Sequence, residues 1–161
     1  MVKFYGYKQT KALRENGLEE NMTDKIVISL YDYTGEALKP WAEAGYRCYA
    51  FDIQHGHGIG RFEPIGDSGG FIYYEGKDLH DKRSIWNLKQ RFQNKNVTFA
   101  MAFPVCTDMA VSGAAHFAKK RERDPLFQRK AANYAIWCAE LFDALDCPYF
   151  IENPVSVLST L

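Results

Sequence analysis

Cys106 in FPVCTD, Glu152 in YFIENP and Asp52 in YAFDI are the residues whose types and places in the chain suit covalent chemistry. A thiol just past an apolar run, close to helix N-termini, can be drawn toward the thiolate that nucleophilic attack requires. A lone Cys is more often a small buried hydrophobe. Glu152 also follows an apolar run, where a carboxyl can donate a proton or accept a hydrogen bond, or can simply serve the fold. Asp52 ends a strand-like segment at the place where nucleotide-binding sheets set an acid against ribose hydroxyls, although a helix cap or surface acid would look the same. The turn YDYTGEA, with Tyr31, Asp32, Thr34 and Gly35, can present backbone N–H groups to a polar or anionic ligand, Gly35 permitting close approach or positive φ. Lys119, Lys120, Arg121, Arg123, Arg129 and Lys130 form a local basic excess that suits phosphates or a solvated face. His55 and His57 of HGHG have no evident third ligand, so they read as part of a flexible loop and no metal is expected.

These residues need elements to place them. Ile26 to Tyr31 (IVISLY), Arg47 to Phe51 (RCYAF), Phe71 to Tyr74, Val97 to Phe103 (VTFAMAF) and Tyr149 to Ile151 are apolar runs of strand length. They lack polar alternation, as strands covered on both faces do. Between them, EALKPWAEAG carries Leu38, Trp41, Ala42 and Ala44 at helical spacing, with Gly45 placed to stop the helix. Ile85, Leu88 and Phe92 mark a second helix. Asp124 as cap and Pro125 as first helical residue would open a third, apolar at Leu126, Ala131, Tyr134, Ala135, Cys138, Leu141, Phe142 and Leu145, which Pro148 would end. A short helix is expected around Lys8 to Asn16, within an N-terminal extension of residues 1–24, and a loop from Gln54 to Gly70.

Strands alternating with helices predict an α/β fold: a doubly wound, mostly parallel sheet with helices on both sides. In such sheets ligands sit beyond the carboxyl ends of the strands, at the switch in strand order. The polar segments Asp32 to Glu36, Asp52 with Ile53, Pro104 to Asp108 and Glu152 to Pro154 all fall there. With 161 residues, 47% hydrophobic, the chain suits one domain with a real core. Twenty basic and 20 acidic residues exclude a broadly basic nucleic-acid coat and leave room only for a local patch. No stretch approaches the roughly 20 apolar residues of a membrane helix, and the start lacks a signal-peptide core, so a cytoplasmic protein without membrane contact is expected. Cys48, Cys106, Cys138 and Cys147 make no CxxC pair and are expected as free thiols.

In this order, LYDYTGEALKPWAEAGY, YAFDI, FPVCTDMAVSG and IENP resemble the S-adenosylmethionine-dependent DNA cytosine methyltransferases that act at carbon 5, particularly shortened forms encoded by phages and prophages. The resemblance runs from about Ile26 to the end and implies a Rossmann-like methyltransferase domain over 25–161. It implies that Tyr31, Asp32, Thr34, Gly35 and Pro104 line the cofactor, that Asp52 with Ile53 holds its ribose side, and that Asp78 in YYEGKDL meets its adenine. It makes Cys106 the nucleophile that attacks carbon 6 of a flipped-out cytosine, Glu152 the partner of ring nitrogen N3, and Asn153 a substrate contact. Arg121 and Arg123 would meet DNA phosphates. Three departures from the family pattern are visible. Tyr33 stands where the cofactor turn usually has Gly, and Val105 rather than Pro precedes Cys106. The family's later Gln-Arg segment, target-recognition region and last cofactor-binding strand and helix do not follow Pro154.

The expectation is therefore a DNA cytosine methyltransferase, or its catalytic and cofactor-binding half working with a C-terminal half or partner subunit, binding DNA weakly on its own. The alternative is a non-catalytic module of the same fold that acts as partner subunit or decoy.

Overall fold

The structure is a computed structural model that describes residues 24–57, 60–106, 108 and 115–152. The expected helix at Lys8 to Asn16 lies outside the described residues, as do Asn153 and Pro154. Six strands form one sheet: β1 (Ile26–Leu30), β2 (Arg47–His57), β3 (Gly60–Pro64), β4 (Phe71–Gly76), β5 (Val97–Ala102) and β6 (Tyr149–Ile151), in the order β3-β4-β2-β1-β5-β6. Every neighbouring pair is parallel except β3 with β4. The expectation of a doubly wound, mostly parallel α/β sheet thus agrees with the architecture.

Chain handedness explains the layers. From β1 the chain steps toward β2 and β4, whereas from β5 it steps the other way to β6. Right-handed crossovers must then put the β1–β2 connection on one face and the β5–β6 connection on the other. Accordingly Leu38 and Ala42, the latter in α1 (Lys39–Glu43), pack with Val27, Cys48, Ala50, Ile72, Tyr74 and Met101 on one face. On the other face α2 (Lys82–Phe92) contributes Ile85, Leu88 and Phe92, and α4 (Phe127–Ala144) contributes Cys138, Leu141 and Phe142, over Ile28, Leu30, Phe51 and Ala100. Each large apolar side chain among them, fully buried, favours the fold by about 1.5–3 kcal/mol. All five residues of β1 are buried, as a strand between two helical layers must be.

Four boundaries differ from the sequence expectation. The segment read as a loop from Gln54 onward instead continues β2 to His57 and returns as β3, so the second strand does not end at Asp52. The helix expected across EALKPWAEAG opens as a 3-10 turn at Glu36–Leu38, becoming α-helical only around Pro40. Asp124 and Pro125 do not start the long helix. Asp124 closes a short helix α3 (Phe117–Arg123), and its Oδ1 accepts from the Leu126 amide at 3.0 Å. That long helix also ends at Ala144, before Pro148, where Asp146 takes the left-handed φ of 51°. No helix among the described residues is long and apolar enough to cross a membrane.

Candidate functional site

Register puts the carboxyl ends of the strands in one row. Leu30 pairs with Phe51 on one side and Ala102 on the other, Ala102 pairs with Ile151, and Phe51 pairs with Glu75. Strand order reverses its drift between β1 and β5, so the cleft at this switch point opens beside Tyr31–Asp32 and Phe103–Pro104. The structure therefore brings Tyr31, Asp32, Thr34, Gly35, Asp52, Ile53, Pro104, Cys106 and Glu152 to one edge.

The turn after β1 is held by Asp32. Tyr31 takes φ 57°, a left-handed conformation costing a non-glycine residue about 1–3 kcal/mol, so its surroundings must enforce it. Its hydroxyl donates to the Leu79 carbonyl at 3.1 Å, and burial first, then the nearby Cys138, Tyr134, Asp78 and Asp52, holds that phenol above its ordinary pKa. Asp32 is only 6% exposed. Its Oδ2 accepts from Ser29 Oγ at 2.8 Å, and its Oδ1 accepts from the Gly35 amide at 2.7 Å and Thr34 Oγ1 at 3.4 Å. The Asp32 carboxylate is thus engaged inside the turn and fixes its shape. Gly35 has φ 70°, and a Cβ there would come within 2.6 Å of Tyr74 Cε1, so glycine is required on two counts.

Asp52 ends the regular part of β2. Its Oδ1 accepts from the Gln54 amide at 2.9 Å, and the other carboxylate oxygen has no partner among the described residues. Both Asp52 and His57 pair with Gly76, so residues 53–56 bulge outward above the edge. Gly76 makes this possible, because a side chain there would run into the Gly56 carbonyl. Ile53 is left 52% exposed beside the acid, and Tyr33 and Val105 are 53% and 50% exposed on the same edge. Three large apolar side chains open to solvent around one cleft suit a ligand with an apolar or aromatic part.

Asp78 follows β4, its Oδ1 accepting from the His80 amide at 2.9 Å. It lines a cavity of about 590 Å³ between β4 and α2, with Tyr73, Glu75, Lys77 and Arg91. Glu75 bridges Lys77 at 2.9 Å and Arg91 there; burial opposes ionisation, but these two cations win and hold its carboxyl below the usual range.

Past β5, the Phe103 amide donates to the Leu30 carbonyl at 3.0 Å and the Glu152 amide donates to the Ala102 carbonyl at 2.9 Å. Glu152, exposed, therefore stands beside the start of the Phe103–Cys106 segment, in which Pro104 is buried. Burial pushes the thiols of Cys48, Cys138 and Cys147 up to about 12, where they are inert. Cys106 differs from them in being only half-buried, at the open end of the sheet.

Arg121 and Arg123 lie exposed on α3, which is joined to α4 by the Phe117–Phe127 ring contact and to the Cys106 segment by an ion pair between Lys120 and Asp108. Lys130 pairs with Asp124 at 2.6 Å. The basic group is therefore tied to the segment that follows β5 through Lys120 and Asp108.

Sequence reasoning passed over two parts of this site. Ser29, the lone hydroxyl in an apolar strand, is the partner of Asp32; a polar atom on a strand buried on both faces must find one nearby, and that was its signal. His55 sits over the turn, its ring stacked on Tyr33 at 5.4 Å and its Nε2 donating to the Asp32 carbonyl at 3.2 Å. Among the described residues no three His, Cys, Asp or Glu side chains are grouped to hold a metal ion. Comparison with known proteins finds no matching family model, no matching curated protein and no matching solved structure.

Proposed function

We propose that the carboxyl edge of this sheet binds S-adenosylmethionine and that the protein methylates carbon 5 of cytosine in DNA. The observation that carries the reading is the shared row: an acid where the regular pairing of β2 ends, a half-buried thiol after β5 and a carboxyl after β6 stand around one switch point, in the order of the resembled family. The residues suit the cofactor. Asp52 keeps one carboxylate oxygen available for ribose hydroxyls, while Ile53, Tyr33 and Val105 offer apolar surface to an adenine or a thioether chain. When bound, the cofactor supplies an electrophilic methyl group on a sulfonium.

The chain's own residues do the rest. The Cys106 thiolate adds to carbon 6 of a cytosine turned out of the stack, and the electron pair displaced toward N3 is met by a proton from Glu152. Carbon 5 is thereby made nucleophilic enough to accept the methyl group. A base then removes the carbon 5 proton, the ring electrons return and the Cys106 sulfur leaves as thiolate. Glu152, exposed beside Phe103, takes its proton back from N3 as the sulfur leaves.

S-adenosylhomocysteine, the demethylated product, tests the cofactor half by titration calorimetry. Asp52→Ala is expected to weaken binding by about 1.5–3 kcal/mol, the scale for hydrogen bonds to a charged group. No heat at millimolar ligand, or equal affinity in the variant, would remove the assignment.

DNA contact rests on the basic residues of α3 and the start of α4. Duplex binding is expected to be weak and to fall with added salt. Reversing charge at Arg121 and Arg123 flattens the plot of log affinity against log salt by about one unit of slope for each phosphate no longer neutralised. An unchanged slope in filter-binding measurements would place the phosphates elsewhere.

A further inference from the structure

The extension of β2 past Asp52, which rejoins β4 at His57, does more than prolong a strand. Asp32 is gripped at every polar atom: its amide donates to the Phe51 carbonyl at 3.3 Å, its carboxylate takes Ser29, Thr34 and Gly35, and its carbonyl takes His55. Two of those grips come from β2 and its extension. Because a carbonyl only accepts, Nε2 of His55 must carry the proton. The same ring stacks on Tyr33 at 5.4 Å and meets the Tyr74 ring edge-on at 5.3 Å. Tyr74 in turn touches the far side of the turn, its hydroxyl 3.5 Å from the Thr34 carbonyl, and Arg61 of β3 lies 4.0 Å above its ring. The β2 extension, Tyr74 of β4 and the turn are thus one packed unit, built around a backbone that takes left-handed φ at both Tyr31 and Gly35.

We propose that the extension of β2 past Asp52 is a clamp on the ligand-receiving turn 31–36 and that His55 is its positioning residue. The clamp holds a strained turn in its binding shape before the ligand arrives, so that ligand binding does not have to order it. This rests on the reading of the turn as part of the S-adenosylmethionine site.

The test pairs a readout without ligand with one that needs it. In His55→Ala, hydrogen exchange at the Gly35 amide, whose bond to Asp32 reports the turn, is expected to quicken about tenfold. Affinity for S-adenosylhomocysteine should fall by about tenfold, the scale of one hydrogen bond. His55→Gln, which restores an N–H donor, should recover part of both, whereas a merely structural loss would not be rescued. Should His55→Ala fail to fold, Tyr33→Leu removes the stacking partner at an exposed position, and the clamp is then read from hydrogen exchange at Gly35 alone, which is expected to quicken and whose constancy would overturn it. Unchanged exchange, or faster exchange with unchanged affinity, overturns the clamp. If the wild-type protein binds no S-adenosylhomocysteine, the cofactor reading fails, and the clamp then stands or falls on exchange and its rescue by glutamine.

Discussion

DNA carrying 5-fluorocytosine should become covalently joined to Cys106 when S-adenosylmethionine is supplied, and Cys106→Ser should give no adduct. The expectation follows from where the electrons go in the ring. Sulfur addition at carbon 6 and methylation at carbon 5 proceed as on cytosine, but release of the enzyme needs a proton to leave carbon 5, and fluorine cannot leave as a cation. The adduct therefore accumulates and survives denaturing gels. Glu152→Gln should slow its formation by about 100-fold or more, the usual scale for a positioned proton donor, because the electrons pushed toward N3 then lack their proton. A folded, cofactor-binding protein that gives no adduct would reduce the chain to the binding module that shares its fold.

Gly35→Ala is expected to be the most costly single-methyl change in the turn, lowering unfolding free energy by about 2–5 kcal/mol. Holding φ near 70° costs an L-residue about 1–2 kcal/mol, and forcing a Cβ to within 2.6 Å of buried Tyr74 adds overpacking of about 1–3 kcal/mol. Gly66 separates the two effects: its φ is 64° but nothing lies within 4 Å of a Cβ built on it, so Gly66→Ala should show the backbone cost alone. Urea unfolding of the two variants checks this. Equal losses would mean that Tyr74 moves aside freely and that the turn is less tightly packed than its contacts indicate.

The strands were legible where burial on both faces leaves a continuous apolar run, as in IVISL and VTFAMA, and α4 was legible where apolar residues recur every three or four positions. Those patterns are written by the solvent boundary and need no knowledge of partners. The end of β2 and the strand β3 were not, because a Gly- and His-rich segment has no such pattern. Its strand character comes from pairing with β4 and from the absent side chain of Gly76. The candidate site divides in the same way. Asp52, Cys106 and Glu152 were singled out because each was read as following a strand, which holds for Cys106 and Glu152, whereas β2 runs on past Asp52 to His57. The Asp32 carboxylate is turned inward by Ser29, Thr34 and Gly35, all within three positions of it, whereas the seat of His55 over Tyr33 is a tertiary fact that joins residues on different elements. The basic helix α3 was read as charge without a helix, since its seven residues FAKKRER bury no side chain and so carry no apolar stripe.

The most direct test is the position at which a methyl group arrives. After the protein is incubated with S-adenosylmethionine and cytosine-containing DNA, enzymatic digestion and mass spectrometry of the nucleosides identify it. The wild-type protein should yield 5-methyldeoxycytidine and Cys106→Ser none. A methyl group on an exocyclic nitrogen of cytosine or adenine, or carbon 5 methylation that persists in Cys106→Ser, would contradict the proposed chemistry.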